Sequence, residues 1–384
     1  MKILHCVGWT DPEFTYRQNY YASELSKTDE VMLLTSFGSH KLKFFGRDDP
    51  GILSDPEYIY RRKAIFEWKG FIFFKFMDLL LDFKPDIVHL YEAGQGVTYM
   101  MARACVKLNI PYVYEHELRS DGVTMLSKIR SKLFIRRWIR WTVANSQLVR
   151  VVTPGAASYV EDISGKKCCY VTTLAFDPTR SFFDSSIRDS FRNEFNIKNK
   201  TALCISGTFQ SVKRIDVVIS AFIDSLADRP DLILFIAGLI PAAQKDKIKS
   251  LLSHTNIIFF DRMLNSNELN RLFCGCDAAL WTKPTISFFE ALGTGLPIII
   301  PYGQGTYHLE GELITYFGTS GGIEERETVI SNADIIRPEL TKLMVGINKL
   351  TARLPDKRFT SQRVVSELRQ QYIRACDEYL IKPR

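Results

Sequence analysis

The chain has 384 residues, 46% hydrophobic, 24% charged and 12% aromatic, and its 50 Lys+Arg exceed its 43 Asp+Glu by seven charges. At about 150 residues per domain there is room for two sizeable domains, and the composition excludes a disordered chain, a collagen-like repeat and a coiled coil. No stretch reaches the roughly 18 apolar residues of a membrane span: the densest, Phe71 to Leu81, is cut by Lys75 and Asp78.

The opening segment, Met1 to Gly8, is too short and too soon polar for a secretory signal and reads as a first strand, Lys2–Val7. From there short runs rich in Ile, Val and Leu alternate with helical stretches, the pattern of parallel βαβ units. The first half offers strands at Val31–Thr35, Asp86–Leu90, Tyr112–Glu115, Arg150–Thr153 and Cys169–Thr172, with helices at Tyr16–Ser26 and Val97–Leu108. The second offers strands at Ala202–Ser206, Leu232–Ala237, Asn256–Phe260, Ala278–Trp281 and Pro297–Ile300, with helices at Ile215–Leu226, Ser266–Cys274 and Ser287–Leu292. A polar stretch without clear periodicity, Asp177 to Lys200, separates them, and Gln362 to Leu380 reads as a terminal helix. The expected fold class is therefore α/β, with two Rossmann-like doubly wound domains. They span residues 1–176 and 177–361, and a helix at 362–384 is free to cross back to the first. Such domains face each other across a cleft, and ligands of open α/β sheets bind at the carboxyl ends of the strands. Chemistry is to be sought just after strands.

Charge and sulfur are informative. Residues 101–150 hold ten basic and three acidic residues, which leaves the rest of the chain balanced. The eight cysteines show no paired metal spacing, and several, such as Cys6 and Cys204, sit in apolar runs. Reduced thiols in a cytoplasmic setting are expected.

Three segments carry candidate chemistry. The first, Trp281 to Ile300, is a strand end, a short loop and a helix beginning near Ser287. Amides opening a helix attract phosphate, Thr285 and Ser287 add hydroxyls, and Glu290 lies one turn in, within reach of a ribose diol. Equally, Ser287 can be an N-cap and Glu290 a complement to the helix dipole. The second, Cys204 to Asp216, is a strand, a glycine-bearing loop and a helix start that presents Lys213 and Arg214. Cations there oppose the macrodipole, which favours an anionic partner over a merely solvated helix start. A pyrophosphate leaving group gains charge that such a cation stabilises. The third, Pro111 to Arg119, ends a first-domain strand with His116 between Glu115 and Glu117. His116 is either a core histidine or a hydrogen-bonding group or base at the strand end.

Taken in order, Lys84-Pro-Asp-Ile-Val-His89, the Glu-His-Glu region, Gly207 with Lys213-Arg-x-Asp216, and Glu290-Ala-Leu-Gly-Thr-Gly-Leu-Pro297 resemble a family-4 retaining glycosyltransferase of GT-B architecture. The resemblance runs from Ile3 to about Pro301, and its last motif is the most specific. It implies an acceptor-side first domain and a second domain that binds a nucleotide-diphosphate sugar, with no metal or other cofactor. Glu290 would hold the ribose hydroxyls, Lys213 the diphosphate, and His116 would lie near the donor sugar. The donor side would further comprise Gly207, Thr208, Arg214, Gly238, Arg262, Thr282, Thr285, Ile286 and Ser287. The acceptor side would comprise Glu13, Arg17 and Glu117. Three departures mark a divergent branch. Thr282 stands where the first of two paired glutamates is expected, Thr208 replaces an arginine, and Asp11 to Arg17 replaces a pair of glycines after the first strand.

The implied function is retaining transfer of a sugar to a glycan or lipid-linked acceptor, in cell-surface polysaccharide biosynthesis. A nucleotide-sugar epimerase or hydrolase of the same plan, or a non-catalytic subunit of a glycan-assembly complex, are the alternatives. Arg61-Arg-Lys63, the aromatic block from Phe66 to Phe76 and the basic residues 128–140 suit peripheral contact with an anionic membrane at the inner face. Against a clean amphipathic face, Arg130, Arg137 and Arg140 share a side with Leu126 and Leu133. No nucleic-acid reading motif is present.

Overall fold

The computed structural model describes residues 1–11, 16–37, 55–68, 71–121, 125–167, 169–349 and 353–381. The chain divides into two compact units, Met1–Leu174 with Ser361–Arg384, and Ala175–Thr360. The breaks thus fall slightly before the expected 176/177 and 361/362. Phe176 is the reason for the first: it is buried, its N–H donates to the Phe359 carbonyl at 2.8 Å, and its ring packs on Gly293, all within the second unit.

In the first unit the strands are β1 (Lys2–Trp9), β2 (Glu30–Ser36), β3 (Ile59–Arg62), β4 (Ala64–Trp68), β5 (Phe71–Phe74), β6 (Ile87–Tyr91), β7 (Tyr112–His116), β8 (Leu148–Val151) and β9 (Cys169–Val171). Seven of them form a parallel sheet in the order β3-β2-β1-β6-β7-β8-β9, and β4–β5 is a separate antiparallel hairpin. The second unit has β10 (Thr201–Ser206), β11 (Leu232–Ala237), β12 (Ile257–Phe260), β13 (Ala278–Leu280), β14 (Ile298–Pro301), β15 (Ile314–Phe317), β16 (Ile323–Glu324) and β17 (Val329–Ile330). Six are parallel in the order β12-β11-β10-β13-β14-β15, and β16–β17 is a hairpin. Strands buried on both faces read as continuous apolar runs, and every residue of β10 and β11 is buried. In both sheets the strand order reverses once, between β1 and β6 and between β10 and β13. In doubly wound sheets the carboxyl side of such a reversal is where ligands bind.

One sheet face of the first unit is polar yet fully buried. His5, His89, Tyr91, Glu115 and Arg150 lie along it, and the helix Ser361–Ile381 covers it. Tyr372 of that helix bonds His89 Nδ1 and Gln371 bonds Arg150, while the His5 ring lies 2.7 Å from the Tyr91 hydroxyl. Burial pushes His5 down to about 3, so both rings stay neutral partners rather than charges.

The stretch 177–200 is not a linker. It contains the helix Ser185–Glu194, capped by Asp184, whose Arg188 and Arg192 reach Asp277 at 2.6 and 3.2 Å. The helix buries arginines on a carboxylate as well as apolar groups, which blurs its periodicity in the sequence.

Candidate active site

At the reversal point of the second sheet, β10 leads into Gly207, Thr208 and Phe209, then a short 3-10 turn, Ser211–Lys213. Gly207 and Gly238, which follow β10 and β11, have φ of 134° and 144°. A Cβ on Gly238 would sit 1.7 Å from the Gly207 carbonyl oxygen, so only glycine lets these loops touch. On Gly207 a Cβ would meet only the Lys213 ammonium, at 3.3 Å. Lys213 thus folds back over the end of its own strand.

The neighbouring loop, after β13, is fastened to this one. Thr282 donates its hydroxyl to the Lys213 carbonyl, and Trp281 Nε1 donates to the Ser206 carbonyl at 3.0 Å. Lys283 therefore stands beside Lys213. Burial first, and the charge of Lys283 second, push the Lys213 ammonium down to about 8. Lys283 lies 3.7 Å from Glu327, on the turn between β16 and β17. Lys213 itself meets no carboxylate in ion-pair range among the described residues. A half-buried cation without a counter-ion is a costly arrangement that an anion relieves.

From the same loop the helix Ser287–Gly293 begins. Its cap position is Ile286, with no side-chain cap bond, so Ser287 is the first helical residue and not an N-cap. Thr285 and Ser287 hydroxyls lie 3.5 Å apart, and Glu290 is buried in the first turn. Lys213, Thr282, Thr285, Ser287 and Glu290 are thus carried by two adjoining loops and the helix that the second of them opens. Arg214 is held differently. It adopts a left-handed conformation, φ 40°, at the start of the helix Ile215–Ser225, and its guanidinium bonds Asp216 at 3.0 Å. Arg262, after β12, forms a two-pronged pair with Glu268 at 2.7 and 2.8 Å, on the exposed rim.

The first unit carries a charged knot at its own carboxyl edge. Arg17, at the start of the helix Arg17–Leu25, is buried among three carboxylates: Glu115 at 2.5 Å, Glu92 at 3.6 Å, and Glu117. The acceptor-side candidates Arg17 and Glu117 are therefore each other's partners. Glu13 lies outside the described residues. His116 is fully buried and stacks on Tyr159 with centroids 5.6 Å apart. Its Nδ1 lies 2.8 Å from the Tyr114 hydroxyl and 3.1 Å from Glu92, leaving Nε2 without a hydrogen-bond partner among the described residues. Burial works against the Glu92 carboxylate, but His116, Arg17 and the Glu117 amide outweigh it and hold its pKa below the usual range. No cluster of three or more His, Cys, Asp or Glu among the described residues is arranged to hold a metal ion.

Two functional candidates were not singled out in the sequence: Glu92, which directly follows β6 at φ 54°, and Lys283, which follows β13. Both obey the rule that chemistry stands just after strands. Lys283 stands among hydroxyls that carry the phosphate signal of that loop, and Glu92 lacks any motif.

No protein-family profile matches the chain. In sequence it is similar to "Putative glycosyltransferase YtcC" of Bacillus subtilis (strain 168), 21% identical over 305 residues. That match takes in 74% of this chain and 66% of the relative's length. Among solved structures it is similar to sucrose-phosphate synthase of Thermosynechococcus elongatus, with TM-score 0.67, 10% identity and coverage of 98% of this chain and 99% of that one. It is similar to Anabaena Alr3699/HepE in complex with UDP and glucose, with TM-score 0.57, 14% identity and coverage of 99% and 98%. UDP-GlcNAc 2-epimerase of Neisseria meningitidis bound to UDP-GlcNAc gives TM-score 0.56, 15% identity and coverage of 97% and 100%. Likeness at this identity is a likeness of fold: the chain has the two parallel-sheet α/β units of GT-B proteins.

Proposed function

We propose that the chain is a glycosyltransferase that moves a sugar from a nucleotide-diphosphate donor to a glycan or lipid-linked acceptor, with retention at the anomeric carbon, in cell-surface polysaccharide assembly. The observation that carries this reading is Lys213, a half-buried ammonium at the reversal point of the second sheet with no carboxylate partner among the described residues and with Lys283 beside it. A diphosphate supplies the missing negative charge. Glu290 is the group for the ribose hydroxyls, and Thr285 and Ser287 are donors to the phosphates. The UDP and UDP-sugar complexes of proteins sharing the fold support a nucleotide-sugar partner.

The reaction we infer is a front-face displacement. The bond from the anomeric carbon to the diphosphate oxygen breaks, the acceptor hydroxyl attacks on the side the diphosphate leaves, and the departing oxygen takes the hydroxyl proton. No enzyme nucleophile is needed. Lys213 and Lys283 stabilise the charge that develops on the leaving group, and the remaining effect is positioning. His116 serves the first unit's part of the reaction as a hydrogen-bonding group, through an Nε2 that has no partner among the described residues.

The test is release of nucleoside diphosphate from a panel of nucleotide sugars, with and without lipid-linked and glycan acceptors. Acceptor-dependent release that falls about 10²–10³-fold in Lys213→Ala supports the reading. The fold shared with a UDP-GlcNAc 2-epimerase favours one alternative. Acceptor-independent epimerisation or hydrolysis would replace transfer, while absence of nucleotide binding would leave a non-catalytic subunit.

A further inference from the structure

The hairpin β4–β5 and the helical segment Met125–Asn145 pack against each other in the first unit. Trp138 sets its edge on Phe71 and Phe73, with centroids 5.4 and 6.4 Å away, and the Arg130 guanidinium lies 4.9 Å over the Phe71 ring. The inner strand of the hairpin, β5, has Phe71, Ile72 and Phe74 buried by this contact and by the sheet core. Its outer strand is the reverse: Ile65 is 67% exposed, and Phe66 and Trp68 are about half exposed. Alongside it, Met125, Ile129 and Leu133 recur every fourth residue on the outside of the helix, Met125 at 79% exposure. The π-helical turn Ser131–Ile135 brings Phe134 out beside them.

The structure also sorts the basic residues that blur this segment in the sequence. Arg130 is turned onto Phe71, Arg136 onto Asp121 at 2.7 Å, and Arg140 onto the Ile163 carbonyl at 3.0 Å. The exposed cations that remain, Lys128, Lys132 and Arg137, lie on the same stretch as the exposed apolar groups. Among the described residues none of the three meets a carboxylate in ion-pair range. Exposed aromatic and aliphatic groups interleaved with unpaired cations are the two signals that together hold a protein on an anionic bilayer, the long basic stems lying along the apolar surface with their heads outward. A second copy of the chain would bring the same cations face to face. A nucleic acid would leave Ile65, Phe66 and Met125 in water.

We propose that this surface, hairpin strand β4 with the stripe Met125–Arg137, docks the chain onto an anionic lipid membrane. The proposal stands apart from the sugar-transfer reading. Lipid headgroup phosphates meet Lys128, Lys132 and Arg137, and the outer side chains enter the boundary between headgroups and acyl chains.

The experiment is flotation of the full chain with vesicles of about 30% phosphatidylglycerol in phosphatidylcholine, and with phosphatidylcholine alone, at roughly 0.1 and 0.5 M salt. The chain is expected to float with the anionic vesicles at low salt and much less with neutral ones. Each basic residue near such a surface is worth roughly fivefold in partitioning, so K128E/K132E is expected to lose at least about 25-fold. Ile129→Ser with Leu133→Ser tests the apolar half, and is expected to lower partitioning about tenfold or more. The same charge reversal at two exposed second-unit lysines, K247E/K249E, leaves flotation unchanged if the surface is the one named. Failure of the wild-type chain to float, equal loss in K247E/K249E, or a solution dimer that Ile129→Ser with Leu133→Ser dissociates would each overturn the proposal.

Discussion

Thr282 hydrogen-bonds through its hydroxyl to the backbone carbonyl of Lys213, joining the loops that follow two neighbouring strands. A threonine at this position thus ties the scaffold of the site. Thr282→Val leaves a carbonyl unpaired and is expected to cost about 1–3 kcal/mol. Thermal unfolding and UDP calorimetry on the same variant should show both a lower Tm and weaker binding, with Thr282→Ser close to wild type.

Lys213 gives the site a pH dependence of definite sign. With its ammonium pushed down to about 8, the charge proposed to hold a diphosphate is present at pH 7 and fades as pH rises through 8 to 9. UDP affinity is expected to fall over that interval by up to about tenfold per pH unit. In Lys213→Arg the decline disappears, because a guanidinium stays charged. A flat profile in the wild-type chain would show that Lys213 does not hold the diphosphate.

The same residue costs stability. A lysine pKa lower in the folded than in the unfolded chain means its charge opposes folding, fully below about pH 8 and not at all above about 10.5. Lys213→Met is therefore expected to raise unfolding free energy at pH 7 by up to ~3 kcal/mol while abolishing nucleotide binding. Denaturant unfolding at pH 7 and at about pH 10.5 should show the gain at the first and its disappearance at the second.

Among the described residues, Arg17 is the one cation that touches Glu92, Glu115 and Glu117 together. Its removal in Arg17→Ala leaves buried carboxylates short of a counter-charge, at about 3–5 kcal/mol. Because Glu92 is held below the usual carboxylate range, its contribution is present above that range and lost as pH falls through it. The gap between wild type and variant should narrow in acid. Urea midpoints at neutral and acid pH would check this.

The inner parallel strands were legible because burial on both faces makes them continuous apolar runs, whereas the edge strands β3 and β15, only partly buried, were not; the final motif was legible because a strand, loop and short helix follow one another there within twenty residues. What escaped had other causes. The Ser185–Glu194 helix hides behind arginines that Asp277 neutralises, a contact across more than eighty residues. The hairpin β4–β5 reads as an aromatic block because its strand β5 packs on both faces and its strand β4 does not. Ser287 reads as a cap, yet Ile286 occupies that position, since nothing in the sequence fixes where the helix starts within its loop. His116 shows its position at the strand end but not its partner Glu92, which arrives from another strand.

The helix Ser361–Ile381 covers the buried histidine face of the first unit, so that unit is assembled from both ends of a long stretch of chain. The second unit is one continuous segment. On the ribosome, Ala175–Thr360 can complete its fold while the segment made before it still waits, His5 and His89 uncovered, for Tyr372 to emerge. Of these two units, the usual amino-terminal-first order of folding during synthesis is thereby reversed: the unit whose synthesis starts first is the one whose core is covered last.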